Sequence, residues 1–471
     1  MIPPHMPTLS TFVLRSALGF ALALTPACGD DGASQAAPDT VNETQAPSET
    51  QAPSETQAPS ETQKPDPEPG GFEVASSAFA RNLEPAATAS ELEALVAGNT
   101  RFALDLYRWL TTTSPDDNLF YSPHSISVAL AMTYAGARGT TAEEMAATLH
   151  FDLPGAALHD AFNRLALSLD SREDVEVPEG DPFALRISNA IWGLSGYPYE
   201  QPFVDTLALN YGAGLHLVDF VGDPDGSRDS INGWIAERTN DLIPELIPDG
   251  VIKPTTRMVL TNAIYFLAGW QSPFDASLTV KAPFTSLDGA TADVDMMMMP
   301  EAELSYAQVE GHQIIELPYV GGDVSMVVIL PAEGQFTAFE ASLNASYLGT
   351  LTEAMNRQTV TFRMPRLELK SKFSLATALK DLGMPIAFGG GADLTGIASV
   401  ESLFIQDVIH EGVVKIDEEG TEAAAATAVI VGTDSSPGFV FDMTVDRPYF
   451  FVIRDRPTGA ILFVGRVVTS Q

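Results

Sequence analysis

The common catalytic motifs are broken or absent in this chain of 471 residues. A serine nucleophile on a strand–turn–helix elbow needs the spacing Gly-x-Ser-x-Gly, and residues 193–196 (GLSG) lack the second interval. Residues 389–391 (GGG) are not followed by the Lys-Ser/Thr pair that binds phosphates, so they indicate a loop turn. The seven histidines include no His-Glu-x-x-His pair, and one cysteine cannot build a multi-cysteine zinc site. We therefore expect no metal, no cofactor and no enzymatic activity.

The segment 418–431 (EEGTEAAAATAVIV) has the composition of a strand rather than of a surface loop, where Asn, Asp and Pro are usual. Alternate positions on one face are small or apolar and carry no charge: Thr421, Ala423, Ala425, Thr427, Val429 and Val431. An unpaired charge on such a face would cost several kcal/mol on burial. Each buried valine would contribute about 1.5–3 kcal/mol. Gly420 gives the backbone before this segment a hinge with few steric limits.

This segment resembles the hinge of a serpin reactive loop, whose pattern is Glu-Glu-Gly-Thr-Glu, four small residues and Thr. The matching residues are Glu418, Glu419, Gly420, Thr421, Glu422, Ala423, Ala424, Ala425, Ala426 and Thr427. Other blocks with serpin-like sequence span the whole globular part: Asn118–Met132, Gly136–Met145, Thr261–Trp270, Ala392–Ile397, Val408–Gly412 and Asp446–Val467. The number and order of these blocks make a chance match implausible.

The resemblance implies a metastable α+β fold in which helices pack around three β-sheets and expose a reactive-centre loop. It implies a protease inhibitor of suicide-substrate type: the target enzyme cleaves the loop, and the loop then inserts into the central sheet while still bound to the enzyme. The residues that match the family's shutter, where the sheet parts, are Ser122, Ser125, Asn262 and His410. Trp270 matches the breach, where insertion begins. Buried polar groups that simply satisfy one another are the alternative interpretation of the shutter set.

The scissile bond follows from counting seventeen positions from Glu418, as the family does, which gives Asp434 and Ser435. The stretch between hinge and C-terminal motif is longer than usual, so Val431 and Thr433 remain alternatives. An acid-directed protease would fit Asp434, whereas elastase- or subtilisin-like enzymes would fit the other two. Glu411 and Gly412 depart from the lysine and alanine common in the family after the shutter histidine.

The elements that must position these residues follow from hydrophobic periodicity. Helical spacing predicts helices from Leu92 to Trp109, over Ser125–Ala135 and over Ile231–Leu246. Strand-like runs come mostly later: Arg257–Leu267, Val324–Leu330, Thr359–Met364, Tyr449–Ile453 and Ile461–Val468. Early helices and late strands predict an α+β domain, which we place at residues 81–471.

The N-terminus has the features of an export signal. An apolar run ends at Ala27, is too short to span a membrane and fits a signal peptide over residues 1–27. Cys28 then resembles the lipidated cysteine of a bacterial lipoprotein, and an ordinary secretory signal is the alternative. Residues 28–80 contain repeated ETQAPS hexads rich in Pro, Ser, Thr and Glu, which predict a disordered linker. We expect an exported protein, either extracellular or anchored in the cell envelope by this lipid alone.

The charge excludes several kinds of partner. With 62 acidic and 25 basic residues the net charge is −37, which disfavours nucleic acid and heparin-like polyanions. We expect a monomer whose partner is a target protease of the serine type or of the cysteine type. Two other functions stay open at this point: a non-inhibitory serpin that binds another molecule, and a surface lipoprotein with an adhesive or structural role.

Overall fold

The computed structural model describes residues 72–174, 184–399, 403–421 and 439–470. All described residues belong to one compact unit, which lies within Pro65–Gln471. No helix within these residues is both long enough and apolar enough to cross a membrane. The described part also contains no group of three or more His, Cys, Asp or Glu side chains that could hold a metal ion.

Nine α-helices lie in the described ranges. The first begins at a capping box, in which the Thr88 side chain accepts from the Glu91 N–H and the Glu91 carboxylate accepts from the Thr88 N–H. The helices are α1 Ala89–Thr113, α2 Pro123–Tyr134, α3 Gly139–Leu149, α4 Gly155–Asp170, α5 Gln201–Tyr211, α6 Pro224–Arg238, α7 Phe336–Ser342, α8 Ala345–Glu353 and α9 Ala376–Leu382.

The third predicted helix, Ile231–Leu246, is wrong at its C-terminal end, because α6 stops at Arg238. Asn240 and Asp241 adopt positive φ angles of 48° and 62°, which a continuing right-handed helix cannot contain. The apolar spacing continues past this point because the segment after the helix, with Ile243 and Leu246, is buried in the same cluster as α6 itself.

Seven strands of the described ranges form the central sheet. They are β1 Glu73–Ala75, β3 Ala184–Leu194, β4 Leu215–Val218, β5 Met258–Gly269, β11 Leu367–Ser374, β12 Val408–Ile416 and β13 Gly420–Thr421, with labels in chain order. Their spatial order is β1-β4-β3-β5-β13-β12-β11, and β5 also pairs directly with β12. On one side, β5 thus pairs with β12 along residues 260–264 and with β13 at residues 268–269. We call the junction between β5 and β12 the seam, and the candidate site is built on it.

A second sheet contains the other nine strands of the described part: β2 Leu119–Tyr121, β6 Val280–Thr285, β7 Thr291–Val309, β8 His312–Pro318, β9 Val324–Leu330, β10 Asn356–Pro365, β14 Phe441–Thr444, β15 Tyr449–Asp455 and β16 Ile461–Val467. The resemblance implies three sheets, whereas the described strands form two. The reason is β7, whose 19 residues pair with β6 and β10 and, at their end, with β8, so that two sets of strands join into one hydrogen-bonded sheet.

Two apolar clusters hold these layers together. The larger one lies between the two sheets and helices α1 to α4, and includes Phe102, Leu130 and Phe463. The smaller one lies between α6 and the opposite face of the central sheet, and includes Trp192 and Trp234. Helices above and below sheets confirm the α+β class expected from the sequence.

Residues 73–75 form a strand of the central sheet, although their composition places them in the linker expected over residues 28–80. Strand β1 lies at 73–75, before residue 81, and pairs antiparallel with β4. Its three residues are too short a signal to stand out beside the polar repeat. Cys28 and residues 1–71 lie outside the described residues.

Candidate functional site

Along the part of the seam that we call lower, β5 and β12 pair directly with each other. At its other end, the top, β13 lies between them. Residues Val408–Gly412 pair in parallel with Leu260–Ile264, with His410 opposite Asn262. Above them β13 enters between the two strands and runs antiparallel to both: Thr421 lies opposite Ala268 on β5 and opposite Ile416 on β12. The start of the predicted hinge is therefore already a strand of the central sheet.

Thr421 and Gly420 fit this narrow position for steric reasons. Thr421 is 1% exposed, and its hydroxyl lies 2.9 Å from the Tyr319 hydroxyl. A Cβ at Gly420 would lie 2.2 Å from the carbonyl oxygen of Ala268 and 2.7 Å from the Cα of Gly269, both backbone atoms that cannot move aside. Only glycine permits the backbone of the hinge to approach β5 this closely.

Trp270 closes the top of the seam. Its indole lies flat on the Tyr319 ring, with centroids 4.5 Å apart and planes 13° apart. Its Nε1–H donates to the Asp417 carbonyl oxygen over 3.0 Å, and its backbone N–H donates to the Glu419 carbonyl oxygen over 2.8 Å. The predicted breach tryptophan thus holds the backbone on which the hinge turns into the sheet.

Glu418 fixes the hinge by charge. Its carboxylate is almost fully buried and accepts from the Arg366 guanidinium through Nε and Nη2 at 2.8–3.0 Å, and also from the Thr279 hydroxyl. Burial raises the pKa of this carboxyl, but the bonds from Arg366 and Thr279 outweigh burial and hold the pKa below its usual value. The Glu418 carbonyl oxygen also accepts from the Phe274 N–H over 2.8 Å.

Below the hinge, His410 joins the two strands of the seam to helix α2. Its ring is completely buried; Nδ1 faces the Asn262 side-chain oxygen, and Nε2 lies 3.0 Å from the backbone nitrogen of Ser122. These partners assign the tautomer: Nδ1–H donates to Asn262, and Nε2 accepts from Ser122. Asn262 in turn donates to the Asn189 side chain on β3.

The two predicted shutter serines lie at the start of α2. The Ser122 hydroxyl donates to the Leu462 carbonyl oxygen over 2.7 Å and accepts from the Ser125 N–H, so it caps the helix. The Ser125 hydroxyl is buried and has no hydrogen-bond partner among the described residues. The structure therefore brings Ser122, Ser125, Asn262 and His410 together at the closed part of the seam.

Glu411, which replaces the lysine common in the family at this position, is buried and paired with two lysines. Its carboxylate is 2% exposed and lies 2.9 Å from Lys370 Nζ and 3.5 Å from Lys372 Nζ on the adjacent strand β11. An ion pair across β11 and β12 therefore balances the charge of this buried carboxylate. At Gly412 a Cβ would lie 3.1 Å from the Phe120 ring, so the glycine accommodates that side chain.

Comparison with known proteins decides the family. The family model "Serpin (serine protease inhibitor)" matches residues 97–470. The chain belongs to the serpin family.

It is 37% identical to a leukocyte elastase inhibitor of Bos taurus over 391 residues, covering 80% of this chain and 99% of the relative. It is 38% identical to an uncharacterised serpin-like protein of Thermococcus kodakarensis, covering 79% and 84%. The structure of uncleaved ovalbumin superposes with a TM-score of 0.70 at 27% identity, covering 80% and 100%. The expected serpin fold is thereby confirmed.

Much of the predicted reactive loop of this serpin lies outside the described residues. This applies to the later hinge residues Glu422 to Thr427 and to the candidate scissile positions Val431, Thr433, Asp434 and Ser435. The assignments of hinge, shutter, breach and scissile bond stay predictions, for which the geometry above gives the physical setting.

Sequence reasoning missed four partners of the site: Tyr319, Arg366, Thr279 and Asn189. Each contacts a predicted residue from a distant part of the chain; Arg366 is 52 positions from Glu418 and Tyr319 is 102 positions from Thr421. No local sequence pattern indicates such pairs of distant residues. The burial of Glu418 requires a cationic or hydrogen-bonding partner, but this burial is known only from the structure.

Acid is expected to weaken this serpin through His410. Burial lowers the pKa of His410 from 6.5 to about 3, and a proton on Nε2 would point at the Ser122 N–H, placing two donors face to face. The unfolded chain takes up this proton near pH 6.5 and the folded chain only near pH 3. Stability from neutral His410 is therefore complete above pH 6.5 and declines as the pH falls towards 3, by about 2 kcal/mol at pH 5.

Urea unfolding at pH 7 and pH 5 of the wild type and of His410→Gln checks this expectation. The wild type should lose more stability between the two pH values, since glutamine does not titrate. Buried His124 and His159, each with a pKa lowered to about 4 by burial, contribute equally to both proteins. Equal losses in wild type and variant would contradict the role given to His410.

Proposed function

We propose that this serpin inhibits a serine endopeptidase, with cysteine endopeptidases as the second target class, by acting as a suicide substrate. The observation that carries the proposal is β13, which lies between β5 and β12 and is antiparallel to both. A strand that already begins in the seam needs only to be extended, by parting the pairs below it, to become a complete strand of the central sheet.

The register of β13 predicts where the inserted loop would lie. Thr421 opposite Ala268 and Ile416 continues, residue by residue, to Thr427 opposite both Asn262 and His410. These two side chains are partners of each other in the closed seam. Insertion would replace their direct contact by a hydroxyl that can both donate and accept. The uncharged face of the loop, from Ala423 to Val431, would then point to the same buried side as Thr421.

The chemistry belongs to the target enzyme. Its nucleophile attacks the carbonyl carbon of the bait residue, the peptide bond breaks, and the new N-terminal amine leaves with the C-terminal part of the chain. The remaining acyl ester, or thioester where the nucleophile is cysteine, joins the enzyme to the loop. Insertion of the loop then carries the enzyme along the sheet and distorts it before water can release the ester. We propose Asp434–Ser435 as the bond, with Val431 and Thr433 as alternatives.

Similarity to a leukocyte elastase inhibitor supports protease inhibition and favours an elastase-like enzyme among the targets. Small aliphatic bait residues would fit such an enzyme, which is compatible with Val431 or Thr433. The acidic chain, with a net charge of −37, supports a partner that is neither nucleic acid nor heparin-like polyanion. We further propose that the protein is exported, acts as a monomer and is held at the cell envelope through lipidated Cys28.

Incubation of the full chain with acid-directed, elastase-like, subtilisin-like and trypsin-like proteases tests the proposal. We expect a complex that survives denaturing electrophoresis with at least one of them. The mass of the released C-terminal peptide then identifies the scissile bond. A chain cleaved in the loop by every enzyme without any such complex would contradict inhibition and favour a non-inhibitory, binding role.

A further inference from the structure

Residues 72–75, here called the edge strap, extend the central sheet at its outer edge. Glu73, Val74 and Ala75 pair antiparallel with Leu217, His216 and Leu215 of β4. Gly214 next to this pairing makes room for the strap, since a Cβ there would lie 2.3 Å from Cγ1 of Val74. An edge strand otherwise leaves its backbone N–H and C=O groups unpaired, so the strap completes β4 on that side.

The first residue of the edge strap joins a cluster of aromatic rings. The Phe72 ring meets the Trp192 ring on β3 and the His216 ring on β4 edge-on, each at 5.0 Å between centroids. Both of those rings also contact Trp234 of α6, at 5.5 and 5.3 Å. Edge-to-face pairs of this kind are worth about 0.5–1.5 kcal/mol beyond the area they bury. Phe72 therefore packs on two rings of the sheet that contact Trp234 of α6.

Helix α6 and the segment after it cover the outer face of the seam. Their buried residues pack in one cluster with Val259 and Ala263 of β5 and with Ile409 of β12. A strand inserted between β5 and β12 would have to part this apolar layer. Whatever fixes α6 and the β4–β3 edge in place therefore resists opening of the seam.

The chain following the edge strap is anchored to helices on the other side of the sheet. Ser77 donates to Asp205 of α5 over 2.6 Å, and the Asn82 N–H donates to the Leu209 carbonyl oxygen over 2.9 Å. Arg81 donates to Asn163 of α4 over 2.9 Å. The segment from 72 to 82 thus connects the edge of the central sheet to α4 and α5.

We propose that the edge strap restrains the seam, so that the loop stays outside the sheet until a protease cleaves it. Phe72 is a positioning residue that acts through Trp192 and His216 on Trp234. This inference rests on the proposed function, because it concerns the same insertion of the loop between β5 and β12. Weakening the strap should allow the uncleaved loop to insert spontaneously, which would remove the bait before any enzyme arrives.

The test compares the full-length wild type with Phe72→Ala and with Val74→Pro, which removes an N–H and restricts the backbone of β1. Phe79→Ala is the matched control, since the Phe79 ring is 56% exposed and lies outside the strap. Each protein is incubated without protease below its unfolding midpoint. Samples taken over time are assayed for covalent complex formation, for cleavage of the loop by a non-target protease, and for the unfolding midpoint.

In Phe72→Ala the uncleaved loop should insert about tenfold faster than in the wild type, which corresponds to the loss of two edge-to-face contacts. Insertion is detected as a loss of loop cleavage and a rise of the unfolding midpoint over time. Val74→Pro should behave alike, and Phe79→Ala like the wild type. Equal conversion rates in all four proteins, or equal acceleration by Phe79→Ala, would overturn the proposal. If the wild type formed no covalent complex with any protease even before incubation, the proposed inhibition would be contradicted. The rates measured by loop cleavage and by the unfolding midpoint would still test the role of the strap.

Discussion

Thr421→Arg is expected to convert this serpin from an inhibitor into a substrate. The variant loop should still be cleaved by the target protease, but the covalent complex should fall by at least about tenfold, because an unpaired buried charge costs several kcal/mol. The position of Thr421 gives the reason. It is 1% exposed, lies between β5 and β12 and contacts the Tyr319 hydroxyl, so the longer, charged side chain of an arginine would have to be buried there.

The measurement is the ratio of covalent complex to cleaved chain on a denaturing gel at increasing amounts of protein. Thr421→Ser is the matched control, because serine keeps the hydroxyl that faces Tyr319 and adds no bulk. The control should inhibit nearly as well as the wild type. An unchanged ratio in Thr421→Arg would contradict insertion of the hinge into the sheet.

Glu418→Lys is expected to release the hinge from the top of the seam. The substitution removes the bonds to Arg366 and Thr279 and places a cation within reach of the Arg366 guanidinium. Breaking a buried ion pair costs about 3–5 kcal/mol; since Arg366 is about half exposed, we expect about 2–3 kcal/mol here. With the breach opened, the fraction of the variant that is monomeric should fall on mild heating. Size-exclusion chromatography measures this fraction.

The double variant Glu418→Lys/Arg366→Glu separates charge from packing. It restores an opposite pair at the same two positions, so it should recover part of the lost monomer, whereas Arg366→Glu alone should behave like Glu418→Lys. Glu419→Lys, on the adjacent and more exposed residue, controls for the added charge. No recovery in the double variant would show that the Glu418–Arg366 pair does not hold the hinge.

Local sequence information was sufficient for the elements that carry regular patterns. The helix from Leu92 to Trp109 and the strand Arg257–Leu267 were predicted because their apolar residues recur with the period of a helix or form a continuous buried run. The alternation after Gly420 similarly predicted a latent strand. Of the residues in that alternation the structure describes only Thr421, which forms β13 together with Gly420; the latent strand itself stays a prediction.

Other features depend on contacts between distant parts of the chain. The partner of Glu418 is Arg366, and nothing near either residue indicates the pairing. The joining of two strand sets through β7 depends on pairing along 19 residues, not on local composition. Strand β1 was missed because three residues give no measurable alternation, and its stability comes from pairing with β4 and from the rings that Phe72 contacts.

In the proposed mechanism the cleaved loop becomes a strand between β5 and β12. Thermal unfolding of the intact chain and of the chain cleaved within residues 422–438 by a non-target protease tests it most directly. An inserted segment of about ten residues gains hydrogen bonds on both sides, each worth about 0.5–1.5 kcal/mol. We therefore expect the unfolding midpoint to rise by roughly 10 °C or more on cleavage, and not to rise in Thr421→Arg. An unchanged or lowered midpoint in the cleaved wild type would contradict insertion, and with it the proposed mechanism.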